Sequence, residues 1–138
     1  MIGLDTNVLA RYYIADAADA EAQRQRELAR QLIESGQPLM VCKTVLLEFE
    51  WLMRGYYGFK TAQTLAVMEH LCALPNVTIE DREAVLQAVA HCRAGLDFAD
   101  ALHHASYRDC RRMSSFDDRK FARRAKRLGF MPPVVVPR

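Results

Sequence analysis

Short apolar runs that alternate with helical segments are the feature that most constrains this chain. The runs "MIGL" at 1–4, "LMVC" at 39–42 and "VTI" at 77–79 are each too short for a helix. The more polar run "RMSSF" at 112–116 and "VVV" at 134–136 complete five candidate strands. Because strands that alternate with helices pair in parallel, we predict an α/β fold with a mostly parallel sheet covered on both faces.

Helical periodicity fills the intervals between these runs. The first helix should begin at Asp5, Thr6 or Asn7, since each of these residues can cap a helix. Gly36 and Pro38 should end the second helix before the next strand. Helices are predicted at 19–35, 44–54, 60–73 and 81–93, within 95–109, and from 117 to Gly129, with an aromatic hinge "GYYGF" at 55–59.

Length and charge suggest one domain over 1–138 with an uneven charge distribution. Residues 1–107 carry a formal net charge of −5, whereas residues 108–138 carry +7. A basic C-terminal quarter can bind a polyanion such as RNA, and a solvated basic helix is the equal alternative. The cations concerned are Arg119, Lys120, Arg123, Arg124, Lys126 and Arg127.

Cysteine usage favours a cytoplasmic protein. No two of the cysteines form a Cys-x-x-Cys zinc clip, and their apolar or helical neighbours suggest small buried thiols rather than disulfides. The chain shows no signal-peptide pattern and no apolar stretch of the roughly 18 residues that a membrane span needs, so no membrane association is expected. The four cysteines are Cys42, Cys72, Cys92 and Cys110.

Two acids come directly after candidate strands. Asp5 follows the first strand and Asp117 follows the strand at 112–116. Ligands of open α/β sheets bind beyond the carboxyl ends of the strands, so both acids are predicted at the functional edge.

Glu48 is placed differently, on the helix predicted at 44–54. Its neighbours three residues away are Val45 and Trp51, so its carboxylate would stand beside apolar side chains, where burial is costly without a compensating charge or metal. Glu50 has Arg54 four residues later, which is typical of an exposed ion pair. We therefore predict that Glu48 is functional and that Glu50 lies on the surface.

Asp97 and Asp100 open the helix within 95–109. Asp97 reads as an N-cap and Asp100 as its N3 residue, in an imperfect capping box. A cap does not exclude a site, and Asp100 should point inward more than Asp97. His103 and His104 lie within one turn of Asp100, where packing or indirect support is favoured over ligation of a hard metal.

Several carboxylates brought to one place repel one another and need a counter-charge. Mg²⁺ or Mn²⁺ suits such oxygen-rich sites, and two ions about 4 Å apart can activate water and stabilise the leaving oxygen of a phosphodiester. We therefore expect metal-dependent phosphoryl chemistry, with Asp5, Glu48 and Asp100 as ligands and Asp117 completing the second position or orienting water.

Four blocks carry a family resemblance. In order they are "LDTNVLARYY", "TVLLEFEWLM", "DFADALHHAS" and "SSFDDRKFARRAKRLG", which span residues 4–129. Together they resemble PIN-domain proteins, and among these the VapC-type ribonuclease toxins of bacterial toxin–antitoxin pairs.

The resemblance implies a single PIN domain, with an α/β/α sandwich and about five parallel strands. It further implies hydrolysis of RNA with one or two Mg²⁺ or Mn²⁺ ions, an antitoxin protein as partner and a homodimer. Ser115 stands where the family more often has threonine, which keeps the hydroxyl. The resemblance assigns catalysis and metal binding to Asp5, Glu48, Asp100 and Asp117, with Asp97 as a further ligand candidate, and support to Thr6, Asn7 and Ser115. Asp118 is a second candidate beside Asp117, but we expect it to cap the basic helix that begins there.

Three alternatives stay open at this point. A haloacid-dehalogenase-type phosphatase also places Asp after its first strand, but it needs a second Asp two residues later, where this chain has Asn7, which cannot transfer protons. A housekeeping RNA-processing nuclease of the same family would share the acids. A non-catalytic PIN-like binding module is disfavoured, because all four acids are present.

Overall fold

A computed structural model describes residues 1–16 and 18–138. The chain divides into two units, Met1–Arg82 and Glu83–Arg138. Each unit has its own parallel sheet and its own helices, and the two are taken in turn.

The first unit contains a three-stranded sheet in the order β1-β2-β3, with every pair parallel. Its strands are β1 (Ile2–Gly3), β2 (Leu39–Val41) and β3 (Val77–Ile79). Leu39 lies opposite Ile2 on one side and Val77 on the other, and Met40 lies opposite Gly3 and Thr78. The two ends of β2 are fully buried, as a central strand covered by helices requires.

Four helices accompany this sheet, and short polar residues begin two of them. Asp5 caps the first and Asp19 the second, through side-chain oxygens that accept backbone N–H groups. The first helix packs against the second and the third. Leu9, Ile33 and Phe49 bury the facing sides. The helices are α1 (Thr6–Tyr13), α2 (Ala20–Ile33), α3 (Lys43–Trp51) and α4 (Thr61–Ala73).

The segment between α3 and α4 departs from the sequence prediction. We expected a helix as far as Arg54 and then a hinge, but α3 ends at Trp51 and continues as a π-helical turn over Leu52–Tyr56. The N–H of Tyr57 closes this turn on the carbonyl of Leu52 at 3.1 Å. The wider turn keeps the side chain of Met53 fully buried, so the core contact decides the backbone form.

The second unit contains a parallel pair, β4 (Met113–Ser114) with β5 (Val134–Val135). The predicted strands all form, and the α/β fold with parallel strands is confirmed. In the described residues they make one sheet of three strands and one of two, rather than one continuous ladder of five. Phe98 and Phe121 are the largest fully buried side chains of this unit.

Three helices and a second π-helical turn complete the unit. The turn over Asp118–Ala122 leads directly into the last helix, which ends at Gly129 as predicted. Gly129 adopts a φ of 72°, the left-handed form that favours glycine after a helix. The helices are α5 (Arg82–Arg93), α6 (Phe98–Ser106) and α7 (Arg123–Leu128).

Two expectations about composition can be compared with the structure. All four cysteines are free thiols, but only Cys72 is buried, and Cys110 is exposed. Their neighbours in sequence were therefore a poor guide to burial. Within residues 1–16 and 18–138, no helix is both long and apolar enough to cross a membrane.

The two glutamates of α3 reverse the predicted exposure. Glu50 is 4% exposed, whereas Glu48 is exposed. The predicted pair with Arg54 does form, since Nε of Arg54 donates to Oε1 of Glu50 at 2.8 Å. The guanidinium is 42% exposed, so one solvated cation satisfies a buried carboxylate. Glu50 is a structural acid of α3, and its prediction as a surface residue was wrong.

Glu50→Ala is expected to lower the free energy of unfolding by about 1–3 kcal/mol, because it removes a buried charge-assisted hydrogen bond and leaves a cavity. Glu48→Ala, two residues earlier on the same helix, should change it by less than about 0.5 kcal/mol. Urea unfolding followed by circular dichroism compares the two variants. Equal losses of stability would contradict the roles assigned to this pair.

Candidate active site

Asp5 occupies the junction between β1 and α1 that the sequence predicted. It is exposed, and the backbone N–H of Thr6 donates to its Oδ1 at 2.8 Å. This bond fixes the carboxylate at the N-terminus of α1, where the helix dipole favours negative charge. In the described structure only Oδ1 takes part in the cap. Asp5 therefore combines a structural bond with an exposed carboxylate.

Thr6 and Asn7 were predicted to support the site. The side chain of Thr6 is 5% exposed, and its Oγ1 finds no hydrogen-bond partner among the described residues. A buried hydroxyl without a partner is rare, and it can serve a group that the protein alone does not supply. Asn7 is exposed beside it. Thr6 holds Asp5 through its backbone N–H, and its hydroxyl stays available.

Glu48 shares a cavity with these residues. The cavity has a volume of about 320 Å³, and Asp5, Thr6, Asn7 and Glu48 line it. The first unit thus brings together four predicted site residues from α1 and α3. Glu48 reaches the cavity as an exposed side chain, so the unfavourable burial from which the sequence argument singled it out does not occur.

Sequence reasoning gave no functional role to Trp51, which belongs to the aromatic lining of this cavity. Trp51 and Tyr57 line the same cavity as Glu48. Trp51 could have been found, because it stands three residues after Glu48 and so shares its helix face. Arg11 also lines the cavity, and its Nε donates to Oε1 of Gln25 at 2.9 Å rather than to an acid.

Asp97 caps α6, as its sequence position indicated. Its Oδ2 accepts the N–H of Ala99 at 3.1 Å and that of Asp100 at 3.4 Å. The side chain is otherwise exposed. The cap prediction is confirmed, and the acid stands at the helix N-terminus one turn before Asp100.

Asp100 is the acid whose ionisation the second unit disturbs most. It is half-buried, and desolvation raises its pKa above the ordinary value of 3.8. The charges of Asp97 and then Asp117 raise that pKa further, while His103 opposes the shift. The structure therefore confirms that Asp100 is less exposed than Asp97. It also brings Asp97, Asp100 and Asp117 within electrostatic reach of one another.

Asp117 follows β4, and its carboxylate is a cap. Its Oδ1 accepts the N–H of Lys120 at 3.0 Å, which opens the π-helical turn. Oγ of Ser115 accepts the N–H of Asp117 at 3.1 Å. Ser115 therefore contacts the backbone N–H of Asp117, whereas the predicted support was a hydrogen bond to a carboxylate or to metal-bound water.

Asp118 was expected to be the cap of this helix, and that expectation was wrong. Asp117 takes the cap, because its φ of −78° and ψ of 88° lie outside the helical region. Asp118 lies inside the turn and accepts from Nε and Nη2 of Arg123, each at 3.0 Å. Asp118 thus forms an ion pair with Arg123, whereas Asp117 caps the turn.

Some basic side chains of the C-terminal region have a hydrogen-bond or ion-pair partner within the protein, and others are exposed to solvent. Arg123 pairs with Asp118, and Nη1 of Arg124 donates to the carbonyl of Gly95 at 3.1 Å. The side chains of Arg119 and Arg127 are exposed. Of the four predicted RNA-binding arginines, these two are the more available for phosphate.

The adjacent histidines take different environments, as residues one apart on a helix must. His103 is exposed, and His104 is fully buried. Nε2 of His104 lies 2.7 Å from the carbonyl oxygen of Pro132, which can only accept, so Nε2 carries the proton. The preference for packing over ligation is confirmed for His104.

The donors present fit a hard divalent cation in their chemistry. All are carboxylate, amide or hydroxyl oxygens, which Mg²⁺ and Mn²⁺ prefer, and a cation would relieve the repulsion that raises the pKa of Asp100. In the part of the chain that the structure describes, no group of three or more His, Cys, Asp or Glu side chains is placed to hold a metal ion. The residues fit the ion through their chemistry and electrostatics.

A protein-family model covers most of this chain. The family model described as PIN domain matches residues 2–127. No curated protein matches the chain. The match runs from the start of β1 into α7 and includes every predicted site acid. This chain therefore belongs to the PIN-domain family, whose members share a nuclease-type fold and are generally nucleases.

Proposed function

We propose that this protein is a Mg²⁺- or Mn²⁺-dependent endoribonuclease that hydrolyses RNA phosphodiester bonds. The observation that carries the proposal is the PIN-domain match over residues 2–127, which includes all four acids. The half-burial of Asp100 supports it, because desolvation and then the charges of Asp97 and Asp117 raise the pKa of that carboxyl, which is typical of sites that bind a cation. In this proposal Asp5, Glu48, Asp100 and Asp117 are the catalytic acids.

The chain's own residues have distinct tasks in this function. Asp5, held by the Thr6 N–H, presents a carboxylate, and Glu48 adds a second from the neighbouring helix. The unpartnered hydroxyl of Thr6 and the amide of Asn7 can orient water or the carboxylates. A bound divalent cation would supply polarisation of the scissile phosphate and a more acidic water.

The second group of acids carries matching tasks. Asp100 would bind the cation most directly, because its charge is the least well solvated. Asp97 is a further ligand, and Asp117 would complete a second metal position or orient the attacking water. Ser115 holds the backbone of Asp117 and so fixes where that carboxylate begins.

The substrate we propose is RNA, and basic side chains near the C-terminus would bind its backbone. Arg119 and Arg127 are exposed and can approach phosphates, with Arg123 and Arg124 as weaker contributors because each already has a partner. Phosphate contacts of this kind make affinity fall with salt.

The biological role we propose is that of a toxin in a toxin–antitoxin pair, cytoplasmic, homodimeric and neutralised by its antitoxin. Its support is the resemblance of four sequence blocks to VapC-type toxins. A housekeeping RNA-processing nuclease would use the same acids. Expression with and without the adjacent gene product separates the two: a toxin arrests growth alone and not with its partner.

The variants Asp5→Asn and Asp100→Asn should each reduce RNA cleavage by at least about 100-fold, since even outer partners of metal ligands are worth 10- to 100-fold. Asparagine keeps the shape and removes the charge. Cleavage of a labelled RNA in Mg²⁺ or Mn²⁺, and in EDTA, measures the effect. Asp109→Asn is the matched control, because Asp109 is an exposed acid outside both clusters.

Cleavage that persists in EDTA, or that survives in both variants, would show that these acids hold no catalytic cation. Loss of cleavage in Asp109→Asn as well would point to a general effect of removing acidic charge.

Asp100→Asn should also stabilise the protein at pH 7 when metal is absent. Because the folded-state pKa of Asp100 is raised, the unfolded chain releases this proton at lower pH than the folded chain. Stability is therefore lost as pH rises from about 3.8 through the raised pKa, and the variant escapes this loss. Urea unfolding of both proteins in EDTA between pH 4 and pH 7 measures the difference.

Adding Mn²⁺ should make the wild type more stable than Asp100→Asn, because the cation stabilises the wild type more than the variant. A variant that is less stable than the wild type at pH 7 in EDTA would mean that Asp100 is a favourable structural charge.

A further inference from the structure

Trp51 is a large apolar side chain left open beside charged groups. It is the single tryptophan of the chain, and it is 56% exposed at the C-terminal end of α3. It lines the 320 Å³ cavity that also contains Asp5 and Glu48. More than half of this indole is therefore open to solvent beside two carboxylates, so core packing alone does not account for it.

The turn after α3 is shaped to hold this indole. A Cβ placed on Gly55 would lie 3.2 Å from both Cε2 and Nε1 of Trp51, so the ring rests against the glycine backbone. Gly55 lies within the π-helical turn over Leu52–Tyr56, four residues after Trp51. One side of the indole is thereby supported while more than half of the residue stays accessible.

A second aromatic residue borders the same cavity. Tyr57 is half-buried at the end of the π-helical turn, and it meets Tyr56 edge to face with ring centroids 4.9 Å apart. This contact restricts the ring of Tyr57. The cavity therefore combines two carboxylates with two aromatic rings held by a defined backbone.

We propose that Trp51 is a stacking platform for a nucleobase of single-stranded RNA, next to the phosphate that the acids cleave; this rests on the ribonuclease function proposed above. Bases of a single strand can leave their neighbours and stack on an aromatic ring, whereas bases in a duplex are already stacked. Every base has such a face, so the platform selects unpaired RNA without fixing its sequence.

The cavity's composition favours a nucleotide over a protein partner at this surface. An apolar protein surface on Trp51 would also cover the carboxylates of Asp5 and Glu48 and remove them from water. A nucleotide meets both needs, because its base covers the indole while its phosphate and the accompanying cations face the acids.

The single tryptophan makes a direct test. The intrinsic fluorescence of the full-length wild type in EDTA should be quenched on titration with a single-stranded ribo-oligonucleotide of mixed sequence. Inorganic polyphosphate, which carries the charge but no base, should bind without quenching. A duplex of the same sequence should quench much less than the single strand.

Variants extend the test to affinity and cleavage. Trp51→Ala should weaken binding of the labelled oligonucleotide by about tenfold or more, measured by fluorescence anisotropy in EDTA, and Trp51→Phe should recover part of it. In Mg²⁺ or Mn²⁺, Trp51→Ala should raise KM more than it lowers kcat. Tyr107→Ala removes an aromatic ring of similar exposure at the other end of α6 from Asp97 and should change neither quantity.

Gly55→Ala tests the support without removing the ring. Its Cβ must displace the indole by a few tenths of an ångström, so affinity should fall while Trp51 fluorescence remains measurable. Circular dichroism of each variant shows whether it is folded.

Two results would overturn the inference: absence of quenching by the single strand, or equal affinity of folded Trp51→Ala and wild type. If cleavage still depends on metal and on Asp5 in that case, the ribonuclease function is supported and only the stacking role of Trp51 is rejected. Quenching by the single strand in a protein that cleaves no RNA would support the platform and count against the ribonuclease.

Discussion

The hydrogen bonds from the first backbone N–H groups of helices to Asp carboxylates are the interaction on which the rest of this structure depends. Asp5 receives the N–H of Thr6, Asp97 that of Ala99, and Asp117 that of Lys120. Each bond satisfies a donor that the helical turn itself leaves unpaired, and the helix start favours the negative charge in return. The same contacts that terminate strands or loops and start helices therefore also fix the positions of the acids.

The acids differ in how strongly their surroundings disfavour the ionised carboxylate. The caps are exposed and well hydrated, whereas Asp100 lies half-buried one turn into α6 and has its pKa raised by desolvation and by two neighbouring charges. Glu50 is buried more deeply, but Arg54 compensates it. The contrast separates an acid that serves the fold from one whose charge the fold leaves uncompensated.

The backbone at the end of α3 contributes both to the core and to the wall of the candidate site. The helix widens into a π-helical turn that contains the buried Met53, and Gly55 of the same turn lies against the indole of Trp51. The turn therefore contributes to the core with one residue and supports an exposed aromatic ring with another.

The sequence by itself determined the α/β class, the five strands, a helix start at Asp5, Thr6 or Asn7 and the cap at Asp97, and it proposed the acids of the candidate site, because periodicity, capping and position after a strand are local properties. Only the tertiary structure decided that Glu50 rather than Glu48 is buried, that Asp117 rather than Asp118 is the cap, and that α3 widens at Leu52. Those outcomes depend on which helix face meets the core and on how the backbone turns there. Such contacts join residues distant in sequence, so a local pattern cannot specify them.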